Sequence, residues 1–141
     1  MTDCTFSNSR MLPFPRSKVL QAWTNRELLA TWWGPKGYSN KFEICDIKTN
    51  GVWVFTMIAP DGTRYANVSK WLEVDDDHIL LEHVVAPHFF LRSDFEDLSE
   101  STKMSWTMTF DTPEILASLL PIITPANEEN FDRLEACLMK I

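Results

Sequence analysis

From Lys41 to Phe110 the chain reads as six consecutive strands with little but turns between them. Apolar and polar residues alternate with the two-residue period of a half-buried strand. The spacing predicts strands over Lys41–Ile47, Val52–Ala59, Arg64–Val74, Ile79–Val85, Phe89–Leu98 and Thr102–Phe110. Asn50-Gly51 is a hairpin turn signal, because both residue types tolerate positive φ. Pro60-Asp61-Gly62 is a second turn, and Asp75-Asp76-Asp77, Ala86-Pro87-His88 and Ser99-Glu100-Ser101 interrupt the rest. In the last strand Met104, Trp106, Met108 and Phe110 alternate with Lys103, Ser105, Thr107 and Thr109, so one face is buried and the other wet. Strands joined by hairpins in sequence form an antiparallel sheet, and its apolar face needs a cover.

The flanking segments supply that cover. Thr5–Leu12 reads as a further strand, ended by Pro13 and Pro15, and Ser17–Trp23 as a short helix. Thr24 and Glu27 have the spacing of a capping box for a second helix. Its residues Leu28, Leu29, Trp32 and Trp33 share one face, Gly34 can take the left-handed conformation that ends a helix, and Pro35 blocks continuation. Asp111-Thr112-Pro113-Glu114 restarts a helix that Pro121 is expected to break. A final helix then begins at Thr124-Pro125 or Asn127. It carries Phe131, Leu134, Leu138 and Ile141 at helical spacing, with Glu129 and Arg133 paired on its wet side. The expected fold is α+β, in the order β-α-α-β6-α, over residues 1–141 as a single domain. A curved antiparallel sheet wraps around a long C-terminal helix, and the bent pair of short helices plugs one end.

Charge and cysteine usage narrow the function classes. A net charge of −7 gives no general attraction for phosphate backbones or anionic lipid, so neither nucleic acid nor a membrane surface is an expected partner. Three cysteines, Cys4, Cys45 and Cys137, are too few and too scattered for a disulfide framework. The N-terminus, with Asp3 and Arg10 among polar residues, lacks an apolar signal core. The longest apolar run, Ile115 to Ile123, is interrupted by Ser118 and Pro121. The expected setting is therefore cytoplasmic.

Strand parity points Trp53, Phe55, Met57, Tyr65, Trp71, Phe89, Leu91, Phe95, Met104, Trp106 and Met108 inward, and Phe131 faces them from the last helix. These residues either form a solid core or line an apolar pocket in which methionine is the adaptable filler. Four polar residues share the inward parity: Asn67, Ser69, His83 and Ser93. A buried polar group needs a partner, and in a cavity that partner can be a ligand. The expected ligand-binding set is His83, Asn67, Ser69, Trp53, Phe55, Tyr65, Trp71, Phe95, Trp106, Met108 and Phe131. Three histidines on separate elements give no metal-ligand spacing, and no phosphate loop or nucleophile elbow occurs. No cofactor and no catalytic residue are assigned. Should His83 act as acid or base, Glu73 is the one inward-parity partner within the sequence pattern. One of Trp32 and Trp33 is a candidate to cap the pocket entrance or to sit in a homodimer contact, the alternative being that both are core.

The segments Ala22-Trp23-Thr24, Trp32-Trp33-Gly34-Pro35, Asn50-Gly51-Val52-Trp53-Val54-Phe55, Pro60-Asp61-Gly62, Thr107-Met108-Thr109-Phe110 and Phe131-Asp132-Arg133-Leu134 resemble, in order and spacing, the activator of heat shock protein 90 ATPase homologue-like proteins. These belong to the START-like (SRPBCC, helix-grip) superfamily, and the resemblance spans essentially the whole chain. Where that family often has a glycine in the long strand, this chain has Ser69. The resemblance implies a cavity between terminal helix and sheet that binds a small hydrophobic or aromatic molecule. It leaves two alternatives open: an enzyme of the polyketide cyclase or hydrolase type using the same pocket, and an interaction module that activates a chaperone ATPase.

Overall fold

In the computed structural model, which describes residues 4–141, β1 (Thr5–Leu12) leads into α1 (Arg16–Thr24) and α2 (Arg26–Trp32). Met1 to Asp3, where the polar N-terminal reading begins, lie outside the described residues. Then come β2 (Ser39–Cys45), β3 (Gly51–Ile58), β4 (Arg64–Val74), β5 (His78–His83), β6 (Phe89–Asp97), β7 (Thr102–Phe110) and α3 (Pro113–Leu138). The seven strands form one sheet in the order β1-β7-β6-β5-β4-β3-β2, with every neighbouring pair antiparallel. Sequential hairpins therefore build β2 to β7, and β1 closes onto β7. The expected α+β helix-grip arrangement is what forms, with α3 as the cover.

Four local readings are corrected. The cap between the short helices is Asn25, whose side chain accepts from the Leu28 amide at 3.1 Å; Thr24 stays in α1 and donates back to the Leu20 carbonyl at 2.8 Å. Both residues are good caps, but the hydroxyl is already committed to the turn behind it. The Asn50-Gly51 turn is longer than a two-residue hairpin. Only Asn50 takes positive φ (68°), and Gly51 is required because a Cβ there would meet the Asp46 carbonyl oxygen.

Pro121 does not break the last helix. Pro121 and Pro125 both sit on the exposed side of one continuous 26-residue α3. The Ala117 and Pro121 carbonyls, which lose their intrahelical donors, sit on exposed residues and can be hydrated. Glu129 and Arg133 do not pair with each other. Glu129 accepts from the Lys36 amide at 3.2 Å, and Arg133 donates to the carbonyls of Thr31, Trp33, Gly34 and Pro35 at 2.9 to 3.1 Å. A cation thus satisfies the orphan carbonyls at the C-terminus of α2, where the helix dipole is negative.

α3 is held unevenly. Leu116 alone is buried in its first half, whereas Asn127, Asn130, Phe131, Leu134, Cys137 and Leu138 are buried in its second. Arg10 of β1 fastens that second half through Glu128, Asp132 and Glu135 at 2.9, 2.6 and 3.2 Å.

Candidate functional site

Between α3 and the sheet, one end is filled and the other is open. At the filled end Trp53 lies flat between Phe55 and Trp71, with ring centroids 4.1 and 4.8 Å apart. Trp23 meets Trp32, Trp33, Phe95 and Trp106 edge-on, and Phe131 meets Trp106 edge-on at 4.7 Å. Such offset and edge contacts are the favoured arrangements of aromatic rings.

Toward the other end lies a chamber of about 190 Å³. The sheet contributes Phe55, Met57, Asn67, Ser69, Leu81, His83, Phe89, Leu91, Trp106 and Met108 to its wall. Trp33-Gly34-Pro35 closes it behind α2, and Asn127 and Asn130 close it from α3. It leads into a vestibule of about 570 Å³ bounded by Tyr38, Arg64, Tyr65, Ala66, Val85-Ala86-Pro87 and Ile122. Pro35, Met57, Asn67, His83 and Phe89 belong to both spaces. A separate open groove of about 540 Å³ beside α1 is lined by Arg16, Asp76 and Asp97 and has no comparable apolar wall.

The expected residues divide cleanly. Phe55, Asn67, Ser69, His83, Trp106 and Met108 stand in the chamber wall. Tyr65 has the inward parity but lies at the strand end, 49 % exposed, on the vestibule. Trp53, Trp71, Phe95 and Phe131 are in the packed core and line neither space. Trp33 is half-buried against four other tryptophans and serves both core and chamber. Asn127 and Asn130 were missed, although they fall on the same helical stripe as Phe131 and Leu134. Asn130 accepts from the Gly34 amide and donates to the Trp32 carbonyl, and so ties the chamber's rear wall to α3.

Glu73 is removed from the site. The register shifts between Trp71 and Glu73, so the inward parity that holds through Asn67, Ser69 and Trp71 passes to Val74. Glu73 faces solvent and binds His78 Nε2 at 2.6 Å. His78, at the end of the acidic turn, is held between Glu73 and Asp75 with its side chain only 17 % exposed. His88 lies on the rim of the sheet, bracketed by Glu82 and Asp111 at 2.7 Å each, and these bonds raise its pKa above the ordinary value.

The polar corner of the chamber is built by β4 and β5, where Ser69 and His83 are directly paired. The His83 ring stacks on Phe89 at 4.6 Å. Its Nδ1 is 2.8 Å from the Pro87 carbonyl oxygen and its Nε2 is 2.7 Å from Asn67 Oδ1, while Asn67 Nδ2 donates to the Tyr65 carbonyl at 3.1 Å. Burial pushes the His83 pKa below the ordinary value, against the opposing effect of the Pro87 bond. Ser69 is 2 % exposed, and its hydroxyl has no hydrogen-bond partner among the described residues. Cys45 is pushed up to about 11 by burial, so its thiol is inert at neutral pH. Among the described residues no three His, Cys, Asp or Glu side chains are placed to hold a metal ion, and no helix is long and apolar enough to cross a membrane.

A curled antiparallel sheet gripping a long C-terminal helix, with two short helices after the first strand, is the START-like helix-grip fold. The chain belongs to the family described as activator of Hsp90 ATPase homolog 1-like protein, whose model matches residues 13–138. It is similar to a protein of Arthrobacter aurescens (TM-score 0.89, 19 % identity, 98 % of this chain and 87 % of that one). It is also similar to a protein of Nitrosomonas europaea (TM-score 0.87, 20 % identity, 97 % and 95 %). Ara h 8.0201 superposes with a TM-score of 0.70 at 16 % identity, over 97 % of this chain and 98 % of that one. At such identities the likeness is one of fold. No curated protein sequence matches the chain.

Proposed function

We propose that this protein binds a small, largely apolar molecule in the chamber between α3 and the sheet, oriented by Ser69, Asn67 and His83. The observation that carries the reading is Ser69. Ser69 is a nearly buried residue whose hydroxyl has no partner among the described residues, and it opens only onto a chamber whose wall is otherwise mostly aromatic and aliphatic, so what fills the chamber must satisfy it. Size agrees with a compact ligand. An engineered apolar cavity of about 150 Å³ in another protein takes benzene, so about 190 Å³ accommodates one ring and a short substituent. The vestibule leaves room for a longer tail.

The test is thermal stabilisation by uncharged monocyclic probes, comparing wild type with Ser69→Leu, which fills the chamber. A ligand at a hundred times its Kd adds about 2.7 kcal/mol to the stability of the form that binds it. The shift is expected in wild type and absent in the variant. Equal shifts in both, or none in either across the probe set, would sink the proposal. Native mass spectrometry of the purified protein adds the identity of any co-purified molecule.

The enzymatic alternative loses the partner it was given, since Glu73 faces away. The family description concerns a chaperone ATPase, and filling the chamber separates that reading from ligand binding: an interaction surface is indifferent to Ser69→Leu.

A further inference from the structure

The polar corner contains a chain of contacts that is one proton short. It runs from the Pro87 carbonyl to His83 Nδ1, from His83 Nε2 to the Asn67 amide, and from that amide to the Tyr65 carbonyl, at 2.8, 2.7 and 3.1 Å. The two carbonyls at its ends can only accept. A neutral imidazole has one N–H, and an amide presents N–H on one side only. If Nδ1–H serves Pro87 and Asn67 Nδ2 serves Tyr65, then Nε2 and Asn67 Oδ1 face each other with lone pairs. Turning the Asn67 amide over repairs that contact and sets Oδ1 against the Tyr65 oxygen. Moving the proton to Nε2 orphans the Pro87 contact. Every neutral arrangement leaves one acceptor facing another, and only the imidazolium completes all three bonds.

The imidazolium would lack a counter-charge. Around His83 the packed groups are Asn67 and Ser69 from β4, the Val85 and Pro87 backbone from the loop, and Phe89 from β6; the nearby His88 is cationic when protonated and is already neutralised by Glu82 and Asp111. From α3, Ile122 and Asn127 border the two spaces. The chain carries 20 acidic residues, yet none lines the chamber or the vestibule among the described residues. The one formally charged side chain there is Arg64, which has no ion pair among the described residues. An acidic protein thus keeps this space free of acids and places an arginine at its mouth. Two donors also remain uncommitted beside His83: the Ser69 hydroxyl and the second N–H of Asn67.

We propose that the ligand is a monocarboxylate with a compact apolar body, and that its binding is coupled to the uptake of one proton from solvent by His83. The apolar body fills the chamber, the carboxylate accepts from Ser69 and Asn67, and its charge stabilises the imidazolium that completes the chain. This rests on the ligand-binding reading above and narrows it to one chemical class.

The experiment uses 3-phenylpropionate and its uncharged counterpart 3-phenylpropanol, titrated into the full chain by calorimetry at several pH values in buffers of different ionisation enthalpy. The carboxylate is expected to bind with net proton uptake. Its affinity falls by up to tenfold per pH unit on the alkaline side of the His83 transition, the slope for one linked proton. The alcohol is expected to bind with no proton uptake and no pH slope. His83→Gln should abolish the pH slope and the proton uptake for the carboxylate, whatever it does to the absolute affinity of either compound. Should that variant not fold, imidazole nitrogen chemical shifts of wild-type His83 report its protonation on ligand addition. Binding of the carboxylate without proton uptake, or no more tightly than the alcohol at pH 6, overturns this inference and leaves the ligand-binding reading standing. Failure of both compounds to bind overturns the inference, and with an unresponsive probe set it takes the ligand-binding reading too.

Discussion

The two ends of the space beneath α3 are built from similar residues to different effect. At the closed end Trp23, Trp32, Trp53, Trp71 and Phe131 are completely buried and stack or meet edge-on. The half of α3 above them is pinned by Arg10 and by its own buried face. At the open end the wall is again aromatic and methionine-rich, but Asn67, Ser69, His83 and Asn127 interrupt it. The helix above that mouth carries two prolines and a 62 % exposed Ile122. Asn67 and His83 bond each other and Asn127 bonds Asn8, so these side chains line a space that apolar residues of the same bulk would fill. The difference teaches that one continuous core is packed tight at one end and left open at the other.

The largest effects should therefore come from the closed end. Trp53→Ala removes a ring stacked on both faces and is expected to cost about 3–5 kcal/mol in urea unfolding. Met57→Ala, at the half-buried chamber edge, should cost less than half of that. Equal losses would break the division. Arg133→Ala comes next, at about 2 kcal/mol, since it strips a charged donor from four carbonyls at the α2 terminus. It also frees the Trp33-Gly34-Pro35 wall, so ligand affinity should fall with stability. Gly34→Ala is smaller, at about 1–2 kcal/mol, because Gly34 holds φ at +99° where a side chain is strained. The added Cβ would approach the methyl at the end of the flexible Met57 side chain to 2.7 Å, so the methyl moves and the chamber narrows. Loss of stability without loss of probe binding would show that Gly34 does not shape the chamber.

Most of the fold was legible because its signals are local. The strands Thr5–Leu12, Arg64–Val74 and Thr102–Phe110 have the same ends in sequence and structure, each bounded by turn residues or proline. The continuous α3 was not legible, because whether a proline breaks a helix depends on which face it occupies, and that is decided by packing. The same holds for Arg133: four carbonyls scattered over Thr31 to Pro35 converge on it only after α2 and α3 meet. In the site, strand parity placed Phe55, Asn67, Ser69 and His83 on one face, and failed at Glu73, where one extra residue in the ladder exchanges the faces. Parity also says which face a ring occupies and nothing of what lies above it. Trp53 and Phe55 share a face, yet only Phe55 borders the chamber.

A finer test lies in two histidines that flank the mouth loop Val85-Ala86-Pro87, whose contributions to stability should respond to pH in opposite directions. His88 is bonded first to Glu82 and then to Asp111, and both raise its pKa above the ordinary 6.5. A folded pKa above the unfolded one means the folded state binds the proton more tightly. The bracket's contribution is then fully present below about 6.5 and is lost as pH rises through the higher folded value. His83 is the reverse. Burial lowers its pKa, so it favours folding above about 6.5 and opposes it as pH falls through that value toward the folded one. Melting temperature measured from pH 5 to 9 should show His88→Asn converging on wild type as the solution becomes alkaline. His83→Gln should instead converge on, or overtake, wild type as it becomes acidic. A bound carboxylate that protonates His83 should erase the second effect and leave the first. If both variants track wild type in parallel at every pH, neither histidine titrates differently in the folded state, and the mouth carries no proton-linked element.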